Sequence, residues 1–378
     1  MDLTWSEEDE AFRREARAWL EANVPSRPLP SGDTREGFAA HLDWERKLFG
    51  ARWAVVSWPE AHGGRDASLW QWLIFEEEYY RAGAPQRVTQ NGIFLLAPAV
   101  FEFGTPEQQG RILPRMAAAQ DLWAQGWSEP GAGSDLAAVR SRAVRDERAG
   151  GWRLTGQKTW TTRGAFCTHL FGLFRTDPEA ERHRGLTYFL VPLDAPGVTV
   201  RGFERLDGDE GFAEVFLDEV FVPDADVLGD VGQGWSVAMA TTGSERGLTL
   251  RSPGRYLAAA GRLLDHARGL PGGPGTHRDR VVQAWIDAQA YQLFTLEQVT
   301  SLAEGRRLGA ESSLNKLFWS ELDIRLHETA LDLLGPEAET DTPWSRGFLF
   351  SLAGPIYAGT NEIQRNIVAE RLLGLPRR

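Results

Sequence analysis

Apolar residues recur at helical spacing along roughly the first 120 residues of this chain. Phe12, Ala16, Trp19 and Leu20 form one stripe, and Pro25 ends the segment that carries it. A Ser-Glu-Glu-Asp start at residues 6–9 is typical of a helix N-cap. Further helices are predicted around 34–49, 68–81, 92–103 and 106–119, the last of them opening at Thr105-Pro106.

The pattern changes between about 122 and 222, where short runs of β-branched and aromatic residues alternate with turn residues. The predicted strands are Gly151–Thr155, Leu170–Arg175, Leu186–Val191, Val198–Arg201 and Glu214–Val222. Gly150-Gly151 and Ala195-Pro196-Gly197 are turn sequences between them. Strands at this spacing predict an antiparallel sheet or a small barrel rather than βαβ units.

Helical periodicity returns after the glycine-rich stretch 229–234, and Pro271–Gly275 separates two long helices. The predicted fold class is therefore α+β, in three domains: an N-terminal α-helical domain (1–120), a middle antiparallel β-barrel domain (121–228) and a C-terminal α-helical bundle (229–378). The stretch 229–234 matches neither GxxxxGK[ST] nor a GxGxxG after a strand. A nucleoside triphosphatase and an NAD-binding Rossmann domain are therefore rejected.

Composition narrows the class of protein. The formal net charge of -12 opposes non-specific binding to nucleic acid or to anionic membranes, so neither is expected as a partner. The sequence contains no run of about 18 apolar residues, so no membrane span is predicted. The N-terminus lacks a basic-then-apolar leader, and a cytoplasmic location is therefore expected. Cys167 is the only cysteine, and the 7 histidines show no HExxH spacing, so no metal is predicted.

Three segments have the composition of a ligand site. They are Gln125–Asp135 (QGWSEPGAGSD), Gly156–Thr162 (GQKTWTT) and Ile356–Arg365 (IYAGTNEIQR). Glycine lets backbone N–H groups approach a flat ligand closely, a hydroxyl such as that of Ser128 can donate to it, and Trp160 offers a π face.

Together these segments resemble the signatures of acyl-CoA dehydrogenases, and the resemblance covers nearly the whole chain. It implies FAD as cofactor and α,β-dehydrogenation of an acyl-CoA thioester. It also implies an electron-transfer flavoprotein as the electron acceptor. The implied assembly is a homodimer or homotetramer.

The resemblance also assigns residues. Those matching the family's flavin contacts are Gln125, Trp127, Ser128, Trp160, Thr162, Thr360 and Glu362. Those matching its substrate contacts are Ser134, Arg246, Ala358 and Gly359.

One position departs from the family pattern. Most members have their catalytic glutamate just before the Gly-Thr of the last segment, where this chain has Ala358. An alanine N–H can still donate to the thioester carbonyl, but a methyl group cannot accept a proton. Glu245 matches the position that supplies the base in the isovaleryl and long-chain branches, so it is predicted to be the catalytic residue.

Two alternatives stay open at this point. One is a non-catalytic or partner-dependent subunit of a hetero-oligomer, because the family's Arg-x-x-Phe-Gly and Gly-Gly-x-Gly elements are absent at 276–280 and 333–336. The other is an oxygen-using relative, an oxidase or a hydroxylase, on the same fold.

Overall fold

A computed structural model of the chain describes residues 4–247, 252–306 and 309–376, with the backbone alone at 242–247 and 252. Its α-helices are α1 (Glu7–Asn23), α2 (Arg35–Gly50), α3 (Leu69–Arg81), α4 (Ala97–Phe103), α5 (Pro106–Ala117), α6 (Gly234–Gly247), α7 (Ser252–Gly269), α8 (Arg278–Ala303), α9 (Ser312–Leu334), α10 (Pro343–Ser351) and α11 (Asn361–Ile367). The predicted helices at 34–49, 68–81 and 106–119 are confirmed within one or two residues.

Side chains that satisfy the first N–H groups fix where several helices begin. Ser6 accepts from the Asp9 N–H at the start of α1. At α5 the Thr105 hydroxyl and the Gln108 side chain cap each other's backbone N–H groups, with Pro106 in the first turn. The predicted helix at 92–103 is divided instead, because a π-helical turn Asn91–Leu96 precedes α4. Pro98 has no N–H group to continue the regular α-helical pattern across this join.

The middle of the chain forms one sheet. Its strands are β1 (Trp123–Gly126), β2 (Arg142–Asp146), β3 (Gly151–Thr162), β4 (His169–Arg175), β5 (Leu186–Pro192), β6 (Val198–Phe203), β7 (Phe212–Pro223) and β8 (Val227–Leu228). The hydrogen-bonded order is β6-β7-β3-β2-β4-β5-β8, with β1 added beside β4.

The predicted α+β fold class, with helices before and after a sheet in the middle of the chain, is confirmed, and the sheet is mixed rather than wholly antiparallel. β1 runs parallel to β4, and β2 also pairs with β4 in parallel through Arg142 and Arg175. The β2–β3 hairpin lies between β1 and β4 in sequence. It brings the chain back to the end of the sheet where β1 begins, so β4 can run in the same direction as β1. The remaining ladders are antiparallel, and β3 with β7 is the longest.

The described residues fall into two compact units. One holds Met1–Ser26, Ala67–Ala84 and Arg246–Arg378, and the other holds Arg27–Asp66 and Pro85–Glu245. In the first unit α7 packs on α3 at Gly254, where a Cβ atom would lie 2.8 Å from the Glu76 carbonyl oxygen. The three predicted domain boundaries stay a prediction.

Each unit has its own apolar core. In the first, Tyr256, Leu263, Tyr291 and Leu322 are among the residues that fill the space between α7, α8 and α9. In the second, one side of the sheet is covered by a cluster that includes Leu154, Phe174, Phe189 and Val220. Over the described ranges, none of the helices combines the length and the apolar character needed to cross a membrane.

Candidate active site

The first predicted motif begins at the end of β1 and continues into the loop after it. Gly126 is needed because a Cβ atom there would lie 2.6 Å from the Leu170 side chain on β4. Gln125 and Ser128 are half-buried. Trp127 is 9% exposed, and its indole Nε1 has no hydrogen-bond partner among the described residues. Because a buried N–H without an acceptor costs free energy, Trp127 has a donor available for a ligand at this loop.

A buried ion pair joins this loop to β3, which carries the second motif. Lys158 Nζ donates to Glu129 Oε1 over 2.8 Å and to the Leu173 carbonyl oxygen over 2.8 Å. The same carboxylate accepts from the backbone N–H groups of Arg140, at 2.6 Å, and Ser141, at 2.9 Å. The loop and the strand are thereby fixed relative to each other.

The electrostatics of this pair follow from its burial. Burial lowers the pKa of the Lys158 ammonium, although the Glu129 carboxylate opposes that change. Burial also works against ionisation of Glu129. The Lys158 charge and the donors of Arg140 and Ser141 outweigh it, so the pKa of Glu129 lies below its usual range. Each of these two groups is therefore the main charged partner of the other.

Trp160 lies in a β-bulge where β3 pairs with β7. The register passes from Lys158 opposite Val215 to Thr161 opposite Ala213, so two residues of β3 face one residue of β7. Trp160 has φ 57°, a left-handed conformation that is unfavourable for a bulky residue, and it is 60% exposed. Strained residues of this kind persist mainly at functional sites. The bulge therefore presents an indole face outward from the sheet.

Two neighbours hold the strand on either side of Trp160. The Thr159 N–H donates to the Ser128 carbonyl oxygen over 2.9 Å, which ties the two motifs together. Thr162 ends β3, and its carbonyl oxygen lies 3.5 Å from Asn91 Nδ2. The structure thus gathers Gln125, Trp127, Ser128, Trp160 and Thr162 on adjoining stretches of β1, its loop and β3.

The third motif lies in the other compact unit, between α10 and α11. Ala358 has φ 53° and Gly359 φ 77°, so two successive residues take the left-handed conformation. Gln364 Nε2 donates to the Ala358 carbonyl oxygen over 3.1 Å. The Ala358 N–H has no acceptor among the described residues. An exposed segment therefore presents one N–H group without a partner from a strained but anchored backbone.

Thr360 and Glu362 continue this motif into α11. The Thr360 hydroxyl accepts from the Ile363 N–H over 3.2 Å and so caps the helix. Its own O–H is still available as a donor. The Glu362 side chain is exposed and lies 3.7 Å from Arg365.

Three predicted residues are placed less completely. Glu245 and Arg246 lie on α6, but their side chains are outside the described part of the structure. Ser134 is exposed in the loop after β1, and the adjacent Asp135 pairs with Arg182 over 2.6 Å.

Sequence reasoning missed the residues that hold these motifs in place. Lys158 lies inside the second motif, but its partner is 29 positions away, and no local spacing shows the pair. Its neighbours Gln157 and Thr159 are polar, so the local sequence gives no signal that this lysine is buried and needs a partner. Gln364 lies in the third motif, but its sequence context indicates no role for it.

The chain matches family models over most of its length. The acyl-CoA dehydrogenase N-terminal domain matches residues 6–120, the middle domain 124–220 and the C-terminal domain 232–373. Acyl-CoA dehydrogenase IpdE1 of Mycobacterium tuberculosis is 40% identical over 383 residues, covering 97% of this chain and 98% of that protein.

Solved structures give the same result. A structure described as Tcur3481-Tcur3483 steroid ACAD is 25% identical and has a TM-score of 0.88, with full coverage of both chains. The ChsE4-ChsE5 complex from Mycobacterium tuberculosis is 27% identical with a TM-score of 0.83, again with full coverage of both chains.

These matches define a class of flavoprotein oxidoreductases with a helical, a sheet and a second helical domain. The chain belongs to the acyl-CoA dehydrogenase family. It is accordingly an FAD-dependent oxidoreductase that acts on acyl-CoA.

The second compact unit fits the cofactor. A flat ring system needs an exposed aromatic face and donors that are not already used. Trp160 provides the exposed aromatic face. The indole Nε1 of Trp127, which has no partner among the described residues, provides one of the donors. The Glu129–Lys158 pair joins the loop that carries Trp127 to the strand that carries Trp160.

Proposed function

We propose that this protein dehydrogenates the α,β bond of a bulky acyl-CoA thioester and that Glu245 is its base. One observation carries the proposal. At Ala358 the backbone is held in a strained conformation with its N–H free of any described acceptor, yet the side chain is a methyl group. This segment can bind a thioester carbonyl, but it cannot take the α-proton.

Carbonyl binding is the part of the reaction that Ala358 would serve. The α-proton of a thioester is weakly acidic. The hydrogen bonds donated to the carbonyl oxygen must therefore become stronger as enolate charge develops on it. The Ala358 N–H is fixed on the carboxyl side by the Gln364 side chain. Because the donor is preorganised, no reorganisation is needed when the charge appears.

Proton abstraction would then fall to Glu245 on α6. A carboxylate beside an acyl chain and a flavin is desolvated, which raises its pKa and makes it a better base. Arg246 follows it directly, and adjacent helix residues point apart, so it would contact the CoA part of the substrate instead. Ser134 and Gly359 would complete the substrate contacts.

FAD supplies the acceptor for the β-hydride when it is bound. The residues that would hold it, those that match the family's flavin contacts, are Gln125, Trp127, Ser128, Trp160, Thr162, Thr360 and Glu362. Trp160 would lie against the ring system, and Trp127, Ser128 and Thr162 would donate to its polar edge. Such donors favour the reduced ring, which carries negative charge.

The substrate class is proposed from the relatives. One structural match is described as a steroid ACAD. A base on α6 in place of one on the tail segment fits a branched, long or polycyclic acyl group. We therefore expect a ring-bearing acyl-CoA to be a better substrate than a short straight chain.

The assembly is also part of the proposal. The sequence predicts a homodimer or homotetramer, but the ChsE4-ChsE5 match is a complex of two named chains. Val282, Ile286 and Leu293 form an exposed apolar stripe on α8 that a further subunit could cover. We propose pairing with a second, homologous chain, and an electron-transfer flavoprotein as the acceptor. The cytoplasmic location stays a prediction.

Flavin bleaching tests the proposal. The protein is purified alone and with a co-expressed homologue, its bound flavin is recorded, and a panel of straight-chain and ring-bearing acyl-CoAs is added without oxygen. Bleaching by the ring-bearing members is expected. Glu245→Gln should slow bleaching by at least about 10²-fold without unfolding the protein. Glu297→Gln, an exposed glutamate of α8, is the matched control and should change nothing.

The other outcomes separate the alternatives. If Glu245→Gln bleaches at the wild-type rate, the base assignment is wrong. If none of the acyl-CoAs bleaches the flavin of the wild-type chain, even when its partner is present, the chain is a non-catalytic subunit. If reduced flavin consumes oxygen with acyl-CoA at a catalytic rate, the protein is an oxygen-using relative instead.

A further inference from the structure

The Ala358 N–H belongs to a loop whose two ends are joined by a hydrogen bond. The Asn361 N–H donates to the Pro355 carbonyl oxygen over 2.8 Å, which closes residues 355–361 into one loop, the carbonyl loop. Ala358 is in the middle of this loop, and Gln364 Nε2 donates to its carbonyl oxygen over 3.1 Å. The position of the Ala358 N–H therefore depends on how the ends of the loop are fixed to the rest of the compact unit.

Both ends of the carbonyl loop contact the same stretch of α9, residues 316–320. At one end, Lys316 Nζ donates to Asn361 Oδ1 over 2.7 Å, and Ser320 Oγ lies 3.1 Å from the same oxygen. Gly354, just before the other end, lies against α9 as well. A Cβ atom at Gly354 would be 3.4 Å from the side chains of Ser320 and Trp319. The helix α9 is therefore the support on which this loop is placed.

The contact between Lys316 and Asn361 is the strongest polar interaction of this support. Lys316 is 5% exposed and Asn361 is 3% exposed, so water has little access to either side chain. An ammonium group only donates, and the oxygen of the Asn361 amide must therefore face it. A hydrogen bond from a charged donor is stronger than one between neutral groups, and its loss in a buried site is costly. This bond fixes the Asn361 end of the loop.

We propose that Lys316, acting through the Asn361 side chain, positions the carbonyl loop so that the Ala358 N–H meets the thioester carbonyl. This inference rests on the proposed function, because it assigns Lys316 to the carbonyl site described there. Lys316 touches no reacting atom in this arrangement, and it is a positioning residue.

Two unreactive ligands separate positioning from general packing. One is the thioester 1-methylcyclohexane-1-carbonyl-CoA, whose α-carbon has no proton to lose. The other is the matching thioether, S-(1-methylcyclohexyl)methyl-CoA, which has a methylene group in place of the carbonyl and is otherwise the same. Their dissociation constants are measured by calorimetry on the flavin-loaded protein.

Variants of the two partners should change thioester binding alone. Lys316→Met keeps a long side chain without a donor, and it should weaken thioester binding roughly 10-fold and leave thioether binding unchanged. Asn361→Leu removes the acceptor at similar volume and should have the same effect. Asn361→Asp keeps an acceptor oxygen for Lys316, so it should bind both ligands like the wild type.

Two further variants sharpen the test. Thr329→Val is the matched control, because it removes another buried hydrogen bond of α9, from the Thr329 hydroxyl to the Arg325 carbonyl oxygen over 2.7 Å. It should bind both ligands like the wild type. The double variant Lys316→Met with Asn361→Leu should bind the thioester no more weakly than either single variant, since both remove the same contact.

The results that overturn the inference are distinct from those that overturn the function. Equal weakening of thioester and thioether by Lys316→Met would show a packing role only, and unchanged thioester binding would remove the role altogether. Asn361→Leu gives the same comparison if Lys316→Met fails to fold. A wild-type protein that binds the thioether as tightly as the thioester, or binds neither, would instead contradict the carbonyl site of the proposed function.

Discussion

Lys158 Nζ lies 2.8 Å from Glu129 Oε1, and both side chains are buried. This one contact connects the loop that carries Trp127 and Ser128 to the strand that carries Trp160. These two segments supply five of the seven predicted flavin contacts, and the ion pair is a side-chain interaction that fixes their relative position.

We predict that removing either member of this pair is far more harmful than removing both. Lys158→Met leaves a buried carboxylate without its cation, and Glu129→Gln leaves a buried ammonium without its anion. Each should lower the free energy of unfolding by about 3–5 kcal/mol, and the double variant by less than either. Urea denaturation measures the effect. Asp135→Asn, which breaks the exposed pair with Arg182, should cost under about 1 kcal/mol. Equal losses at the two pairs would contradict the prediction.

We predict that Trp160 contributes to ligand binding and little to stability. Trp160→Gly removes ring contacts with Phe203 and Phe212 but also relieves the left-handed backbone, which costs about 1–2 kcal/mol for a non-glycine residue. The free energy of unfolding of the apoprotein should therefore change by less than about 1 kcal/mol. The dissociation constant for FAD should rise at least about 10-fold, through the lost stacking surface.

Trp152 on the same strand provides the comparison. It is buried in the core of the sheet, so Trp152→Gly should lower the free energy of unfolding by at least about 3 kcal/mol. If the two variants lose the same stability, or if Trp160→Gly binds FAD as the wild type does, Trp160 is an ordinary packing residue.

Local signals were enough to predict the ends of several helices. The Thr105–Gln108 cap, the Ser6 cap and the proline-glycine hinge at 271–275 each depend on residues a few positions apart, and each marks a real boundary. The strand order was beyond such signals. β1 is four residues long and pairs in parallel with β4 more than 40 positions later. Neither the length nor the direction of β1 can therefore be predicted from its own residues.

The site was predictable as a set of segments but not as a geometry. The sequence shows that position 358 is an alanine where most of the family has a glutamate. The positive φ at this residue, in contrast, depends on how the segment between α10 and α11 is held. Lys316 and Asn361 are 45 positions apart, and nothing near either residue indicates the other. Long-range side-chain contacts and backbone strain are the features that sequence reasoning could not reach.

We predict that Lys316 makes stability rise with pH above neutrality. Its Nζ is buried and donates to Asn361 Oδ1 over 2.7 Å. Burial lowers its pKa to about 8, with Glu362 opposing this change and Arg365 adding to it. Between pH 8 and the unfolded value near 10.5, the unfolded chain binds more protons than the folded chain. The contribution of Lys316 to the free energy of unfolding must therefore rise with pH across that window.

The measurement compares the wild type with Lys316→Met. Other groups titrate in the same range, so the useful quantity is the difference between the two free energies of unfolding at pH 7.5 and 9.5. That difference should shift in favour of the wild type as pH rises, by a total on the order of 1–3 kcal/mol. A difference that is flat with pH would mean that the folded protein leaves the lysine pKa near 10.5.

We predict that Ala358→Gly stabilises the apoprotein. An alanine at φ 53° costs about 1–2 kcal/mol, and glycine at that position avoids this cost while adding about 0.4–1 kcal/mol of unfolded-state entropy. The free energy of unfolding should therefore rise by about 0.5–1 kcal/mol. Ala330→Gly is the matched control, because the same change in the buried interior of α9 should lower stability by about 1 kcal/mol or more. Opposite signs from one chemical change would show that strain is stored at the carbonyl-binding segment. Two losses of similar size would show that Ala358 is relaxed, and the strained donor of the proposed function would then have no basis.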